Sequence, residues 1–404
     1  MDNRPKLSKE FLHFITAKFF YTIGYRMVTT IVIYQVFHIS STYMVGIAGI
    51  TEFIPAVLTA LYAGHYIDNH DKKKILIFAY ACYFICATGL GIASMNRFHL
   101  SDSSVLSVIL MTVFCTGIIR SFASPAANAM IAAVVPRSQL QRAIAINSST
   151  FLSSSISGHA LGGMMIAFAG ISNAYLLAAL FMASGFLFGT RLKPKPPIRK
   201  DVKESRIQSI KYGFKFVWTN KTLLGVISLD LFAVLFGGAV AFIPEIASTV
   251  LHTGALGYGF LNAAMDIGSL TSILLLLTHP MRNKQGLKMM IAVAGFGLCI
   301  IVFGLSKVYW LSFLALATAG FCDGISVVVR GTIAQLYTPD ELRGRVSSIN
   351  MIFVNSSNEL GQFESGITSR LMGTVPAVIF GGAMSVLVAA GTFFKFKGLR
   401  KIEY

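Results

Sequence analysis

Long apolar segments separated by short basic clusters are the feature of this sequence that most restricts its fold. Runs such as 222–246 and 291–303 carry few charges, and across the 404 residues 54% are hydrophobic and only 13% are charged. Soluble domains carry about 25% charged residues, so this composition excludes a soluble globular enzyme and a disordered chain. A helix needs about 20 apolar residues to cross a bilayer. The sequence therefore predicts an all-α membrane protein with many spans.

Division of the chain at its polar clusters gives about twelve spans, which begin near residues 11, 43, 75, 104, 143, 171, 222, 256, 288, 308, 346 and 375. Lys and Arg test this division, because cytoplasmic loops are rich in both. Of the 34 Lys and Arg, 27 fall on one set of alternating segments, 3 on the other and 4 within spans. We expect a multi-pass protein of a bacterial inner (plasma) membrane with both termini cytoplasmic. Because the cations are scattered over alternate loops, the net charge of +17 does not indicate nucleic-acid binding.

The two halves of the chain share a sparse repeat at an offset of 203 residues. The aligned pairs include Gly117 and Gly320, Pro136 and Pro339, Arg142 and Arg345, Asn147 and Asn350, and Gly158 and Gly361. A polar stretch, 191–221, lies almost at the midpoint and reads as a cytoplasmic connector. We therefore expect residues 1–190 and 222–404 to form two six-helix bundles related by a parallel repeat, an arrangement found in transporters.

A motif follows the second predicted span, where residues 64–74 read GHYIDNHDKKK. It resembles the signature GxxxDRxGRR/K of the major facilitator superfamily, with Asn69 and Asp71 in place of the usual Arg and Gly. The resemblance implies a loop that gates the cytoplasmic side, in which Asp68 caps the next helix or meets cations and the lysines contact lipid headgroups. The candidate gating residues are Gly64, Asp68, Lys72 and Lys73.

A second motif lies in the fifth predicted span, where residues 155–163 read SISGHALGG. It is similar to the glycine motif GPxxGG of superfamily exporters that exchange drugs for protons, with His159 at the proline position. Small residues there allow close helix packing and a bendable segment, so Gly158, Gly162 and Gly163 are candidate helix-bending residues. Segments 229–247, 320–335 and 343–366 resemble the bacterial drug and siderophore exporters, the enterobactin-exporter-like branch. The resemblance implies export of a small molecule against protons.

Ionisable residues within spans are costly, by about 2.5–3.5 kcal/mol on insertion scales, and mark wet pathways or paired sites. The candidates for a substrate cavity are Lys18, Arg26, Arg120, Arg330, Asn147, Asn355 and Asn358. The candidates for carrying the coupling proton are, in order, Asp230, Asp323, Glu359 and Glu52. We expect Arg120, Asp230, Asp323 and Arg330 to form one electrostatic network. The alternative is that these charges form fixed ion pairs that only hold helices together.

The sequence predicts a secondary active transporter and not an enzyme, because it shows no catalytic constellation, no phosphate-binding loop and no paired metal ligands. We expect export of a drug-like or siderophore-like organic solute by proton antiport and alternating access, in a monomer embedded in the lipid bilayer, without a cofactor or a metal. An importer of a small solute or metal chelate remains an alternative, as does a non-transporting membrane receptor.

The cation distribution predicts that the connector 191–221 and both termini lie in the cytoplasm. Protease added to the outside of intact spheroplasts should therefore leave the connector uncut, whereas the same protease should cut it in inverted vesicles. Immunoblots against a tag at each terminus measure this. Cleavage of the connector from outside would contradict the topology throughout.

Overall fold

A computed structural model describes residues 7–196, 206–279, 281, 283–339, 342–396 and 398–403, and within these ranges the regular elements are all helical. The long helices are α1 (Lys9–Ile39), α2 (Thr42–Asn69), α3 (Lys72–Ala93), α4 (Asp102–Val134), α5 (Leu140–Thr190), α6 (Arg206–Thr219), α7 (Lys221–Gly237), α8 (Ala255–Thr278), α9 (Gln285–Leu305), α10 (Tyr309–Leu336), α11 (Arg343–Met372) and α12 (Thr374–Lys395). A short helical turn, Ile243–Glu245, continues as a π-helix over Ile246–Val250 between α7 and α8.

These helices supply the predicted spans, and each starts within three residues of its expected position. The 51 residues of α5 would reach about 76 Å as one straight helix, more than twice a bilayer core. Gly170, with φ 82° and ψ 166°, breaks the helix into two arms, 140–169 and 171–190. With these arms counted separately and α6 assigned to the connector, the described part of the chain has the twelve spans expected.

The backbone confirms the internal repeat at a position that the aligned motifs did not include. Gly373, with φ 85° and ψ 159°, joins α11 to α12 and lies exactly 203 residues after Gly170. Helices α5 and α11 also begin 203 residues apart, at Leu140 and Arg343. Residues with a side chain rarely adopt such positive φ values, so a glycine is needed at both turns. The two halves therefore repeat their helix junctions as well as their helices.

The helices form two compact units. The N-terminal unit comprises Met1–Ser41, Thr51–Lys200 and Gly254–Ala263, so it includes the first turns of α8. The C-terminal unit comprises Thr42–Ile50, Asp201–Thr253 and Ala264–Tyr404, so it includes the first turns of α2. Each unit contains its own buried apolar cores, for example one around Phe11, Phe14 and Tyr80 in the N-terminal unit.

The outer surface carries large apolar side chains, as expected for helices in lipid. Leu58, Phe78, Met111 and Phe168 are each more than 70% exposed. Eight of the described helices, with α5 counted once, are long and apolar enough to cross a membrane by length and composition. Among the others, α1 and α11 carry polar stripes and α7 has only 17 residues. The exposed apolar surface is the one that a bilayer would cover.

Helices α8 and α10 approach each other closely through two glycines of the C-terminal unit. A Cβ on Gly320 would collide with the carbonyl of Met265, and one on Gly268 would collide with the carbonyl of Ala317. Gly331, eleven residues further along α10, has open space around its Cα. The two backbones therefore meet at Gly268 and Gly320, as small residues permit in membrane helices.

This contact predicts opposite effects for one substitution at two positions of α10. Gly320→Ala should destabilise the protein by about 1–3 kcal/mol, because the new methyl group must push two backbones apart. Gly331→Ala should be neutral or stabilising by up to about 1 kcal/mol, because alanine favours the helix and meets nothing there. Thermal unfolding of both purified variants in detergent measures this. Equal melting temperatures for the two variants would contradict the close contact.

Candidate functional site

An ion pair between α7 and α10 is buried in the C-terminal unit. Arg330 Nη1 contacts Asp230 Oδ2, and the two residues are only 6% and 4% exposed. Isolated charges are costly in such surroundings, so each side chain stabilises the other. Asp230, the first coupling candidate, is therefore already bound to a cation in this conformation. Arg330, expected to bind substrate, is likewise occupied.

A second ion pair lies in the N-terminal unit between α4 and α2. Arg120 Nη1 donates to Glu52 Oε1 at 3.2 Å, and the Tyr25 hydroxyl donates to the same oxygen at 3.4 Å. Beside Tyr25 is a cluster of packed tyrosine rings, whose members are Tyr21, Tyr25, Tyr80 and Tyr83. Arg120 is therefore paired in this conformation with Glu52, an acid outside the predicted network, and the network itself stays a prediction. Each unit holds its own ion pair.

Two further acidic candidates lie in spans of the C-terminal unit. Asp323 on α10 is partly buried and has no hydrogen-bond or ion-pair partner among the described residues. Glu359 on α11 is 6% exposed. Asn358 beside it is exposed and donates to the carbonyl of Val354, one turn earlier on its own helix. The side chain of Asn355 lies outside the described residues. Asp323 is thus the candidate acid whose charge no described cation neutralises.

The polar face of α1 lies against α5 within the N-terminal unit. Lys18 Nζ donates to Asn147 Oδ1 at 2.6 Å. Further along, the guanidinium of Arg26 lies 5.2 Å from the ring centroid of Phe151. Three predicted cavity residues, Lys18, Arg26 and Asn147, therefore come together on one pair of helices.

The glycine motif of α5 is a packing surface. A Cβ on Gly158 would lie 2.6 Å from Arg26 Cβ, and one on Gly163 would lie 2.6 Å from the Cα of Gly259. Gly162 lies against Thr30, whose hydroxyl is 2.7 Å from Nδ1 of the buried His159. Close packing is therefore confirmed. In this conformation α5 stays helical through the motif and leaves helical geometry at Gly170, so the predicted bend stays a prediction.

The loop between α2 and α3 differs from expectation in its capping residue. Asp71, not Asp68, is the N-cap of α3, and its Oδ1 accepts the backbone N–H of Lys73 at 2.9 Å. The same oxygen accepts the N–H of Lys195 at 2.9 Å, which attaches the chain beyond α5 to this loop. Lys73 donates to the carbonyl of Thr190 at 2.8 Å. Asp68 is exposed in the last turn of α2.

Lys72, Glu10 and Gly64 also lie at this end of the N-terminal unit. The Lys72 N–H donates to the carbonyl of Lys195 at 3.2 Å, and the Lys195 ammonium forms an ion pair with Glu10 at 3.0 Å. Gly64 has nothing within 4 Å of where a Cβ would stand. Among the described residues, no second helix backbone therefore lies close to Gly64 in this conformation.

Glu245 is a candidate functional residue that was not predicted from the sequence. It precedes the π-helix of the C-terminal unit, and its carboxylate accepts the hydroxyl proton of Thr42. π-Helical turns are frequent at functional sites. The sequence signal was present, since Glu245 follows Pro244 inside an apolar run. Among the described residues, no three His, Cys, Asp or Glu side chains lie together as a metal site.

The buried pair predicts a strong coupling between Arg330 and Asp230. Asp230→Asn or Arg330→Gln alone should destabilise the protein by about 3–5 kcal/mol, because each leaves an uncompensated buried charge. The double variant should recover much of that loss, giving a coupling energy above about 1 kcal/mol in a double-mutant cycle. Unfolding of the four proteins in detergent gives the cycle, and strictly additive losses would contradict the pairing.

Comparison with known proteins gives relatives along most of the chain. An enterobactin exporter EntS from Citrobacter koseri is 28% identical over 314 residues, which is 76% of this chain and 73% of that protein. A protein of the same name from Shigella dysenteriae is 26% identical over 312 residues, with the same coverage. Both alignments include the greater part of each chain.

Solved structures share the fold at low sequence identity. A D-xylose–proton symporter superposes with a TM-score of 0.76 at 13% identity, covering 95% of this chain and 97% of its own. A POT family transporter bound to 5-aminolevulinic acid gives a TM-score of 0.76 at 10% identity, covering 97% and 96%. Residues 14–362 match the family Major Facilitator Superfamily. With this match, the two-fold helical repeat and the polar residues inside the spans, the chain belongs to the Major Facilitator Superfamily of membrane transporters.

Proposed function

We propose that this chain exports a small organic solute across a bacterial inner membrane in exchange for protons. The family establishes the general role of a transporter, and transporters of this class work by alternating access. In the proposal, the halves 1–190 and 222–404 are the two bundles that move. The termini face the cytoplasm, a single chain is the working unit, and no catalytic step is involved.

The export direction is supported by the curated relatives. Proteins 26–28% identical over three quarters of the chain are named enterobactin exporters. At this identity the substrate of a relative is not assigned to this chain. We therefore propose only the class of drug-like or siderophore-like organic solutes. Import of a solute or metal chelate would use the same helices, and flux assays separate the two directions.

The coupling proposal rests on the surroundings of Asp323. It is a carboxyl group within a span, partly buried, with no cation or hydrogen-bond donor attached among the described residues. Asp230 and Glu52 would each have to break an ion pair before taking a proton. Asp323 can take up a proton without that cost. We therefore place it first, ahead of the buried Glu359, as the group whose protonation changes during the cycle.

The cytoplasmic loop suggests how the N-terminal bundle is held during this cycle. Asp71 joins α3 to the chain beyond α5 through Lys73 and Lys195, at 2.9 Å each. Lys195 is tied in turn to α1 through Glu10. We propose that this link keeps α1, α3 and α5 together as one body when the bundle moves, and that Asp68 contributes to gating on the same side.

The coupling proposal predicts a split between two transport assays for Asp323→Asn. In proteoliposomes, uptake driven by an imposed pH gradient should fall at least tenfold, because the variant has no proton to exchange at this position. Counterflow of the same labelled compound at equal pH should persist within about twofold, because exchange needs no net proton movement. A panel of aromatic acids, amines and neutral drugs supplies the compounds.

Asp102→Asn is the matched control, since Asp102 is an exposed acid at the start of α4. It should leave both assays unchanged. If the Asp323→Asn variant kept the gradient dependence of the wild type, Asp323 would not carry the coupled proton. Glu359→Gln would then be the next variant to test. The absence of gradient-driven flux for every compound with the wild-type protein would contradict the transporter proposal itself.

A further inference from the structure

The charges inside the spans of the N-terminal unit do not balance. Three cations lie within its membrane helices, namely Lys18 and Arg26 on α1 and Arg120 on α4. Within the same described helices only one acid, Glu52, lies away from the helix ends. The other described acids of this unit stand at the ends of helices; these are Glu10, Asp68, Asp71 and Asp102. Two positive charges therefore lack an acid of their own.

The single acid is already bound. Glu52 accepts from Arg120 at 3.2 Å and from Tyr25 at 3.4 Å. Lys18 contacts only a neutral partner in the described residues, the amide oxygen of Asn147 at 2.6 Å. An amide satisfies a donor of the ammonium group but does not neutralise its charge. Lys18 and Arg26 are thus the uncompensated cations of this unit.

Arg26 has the geometry of a prepared anion site. Its guanidinium lies 5.2 Å from the ring centroid of Phe151 and 6.0 Å from that of Tyr25, so aromatic rings occupy its surroundings. The Arg26 Nε is shielded from solvent and has no hydrogen-bond partner among the described residues. Contacts with ring faces leave the N–H groups at the edge of the guanidinium plane without acceptors. A carboxylate binds such an edge through two parallel hydrogen bonds.

The backbones of α1 and α5 lie close together at the position of Arg26. Gly158 of α5 lies so close to α1 that a Cβ there would be 2.6 Å from Arg26 Cβ and 2.7 Å from the carbonyl oxygen of Ile23. The Cβ of Arg26 is therefore packed against the backbone of α5, which places the start of the side chain before a ligand arrives. Groups that are placed before binding lose less entropy on binding.

We propose that Arg26 binds the carboxylate of an aromatic carboxylate solute, which is the substrate class of the transporter proposed above and rests on that proposal. The carboxylate supplies the missing negative charge, and the rings of Phe151 and Tyr25 pack against the aromatic part. Lys18 lies eight residues earlier on α1, about 12 Å along the axis, and adds a second positive charge toward the cytoplasmic end. A neutral or cationic solute would leave both cations unpaired.

Equilibrium dialysis of the purified full-length protein in detergent tests this, with 2-naphthoate as the charged probe and 2-naphthamide as its neutral counterpart. The wild-type protein should bind 2-naphthoate at least tenfold more tightly than 2-naphthamide. Arg26→Gln should weaken 2-naphthoate binding at least tenfold and leave 2-naphthamide unchanged. Arg97→Gln, which removes an exposed cation outside the spans, is the matched control and should bind both probes as the wild type does.

Arg26→Lys keeps the protein testable if Arg26→Gln fails to fold. It preserves the charge but not the two parallel donors, so it should weaken 2-naphthoate binding several-fold. Equal binding of the two probes by the wild type, binding of neither, or unchanged affinity in both Arg26 variants would overturn the proposal. Dialysis needs no gradient, so these outcomes are independent of whether the protein transports. Arg26-dependent binding without gradient-driven flux would contradict only the transport proposal.

Discussion

A charge inside a membrane-spanning helix needs an opposite charge, a hydrogen-bond partner or water, and this constraint organises the interior of both units. Arg330 pairs with Asp230 and Arg120 pairs with Glu52, each within one unit. These pairs join α10 to α7 and α4 to α2. What remains after pairing is informative, because it includes the acid Asp323 and the cations Lys18 and Arg26, for which the described residues supply no ionic partner. The proposals on coupling and on substrate charge both follow from that remainder.

The second constraint is that backbone N–H and C=O groups in lipid must be hydrogen-bonded within the protein. The chain is therefore helical wherever it meets the bilayer. The breaks between these helices occur at glycines. Gly170 and Gly373 supply the positive φ values at which one span ends and the next begins, 203 residues apart. Glycines also bring helices close, as at Gly268 and Gly320 or at Gly163 and Gly259. Breaks and contacts thus occur at residues whose lack of a side chain permits them.

The helices and the repeat were predictable because apolar runs, basic clusters and the 203-residue register are properties of the linear sequence. The ion-pair partner of Arg120 was not, since no pattern in the chain states that α2 lies beside α4 at the depth of Glu52. The cap of α3 could have been found. Asp71 directly precedes the first helical residue, where an N-cap aspartate is favoured, whereas the family resemblance directed attention to Asp68.

The bend expected in α5 shows the same limit of analogy. The glycine motif suggested flexibility, but its glycines lie tightly against α1 and the start of α8, and the helix breaks seven residues later at Gly170. Packing neighbours decide whether a glycine is a hinge or a contact point, and the neighbours are known only from the fold. The polar face of α1 was predictable from helical spacing, but the absence of an acid for Arg26 was not.

Proton movement measured together with solute movement distinguishes proton antiport from the other transport mechanisms. Purified wild-type protein in liposomes that contain a pH-sensitive dye would be given each of a series of aromatic carboxylates, or the matching neutral amides, on one side of the membrane. Proton antiport predicts that a carboxylate crossing in one direction moves protons in the other, that a protonophore abolishes the change in internal pH while solute flux continues, and that liposomes without the protein show neither flux. Solute flux with no accompanying change in internal pH would contradict proton antiport and indicate an uncoupled facilitator.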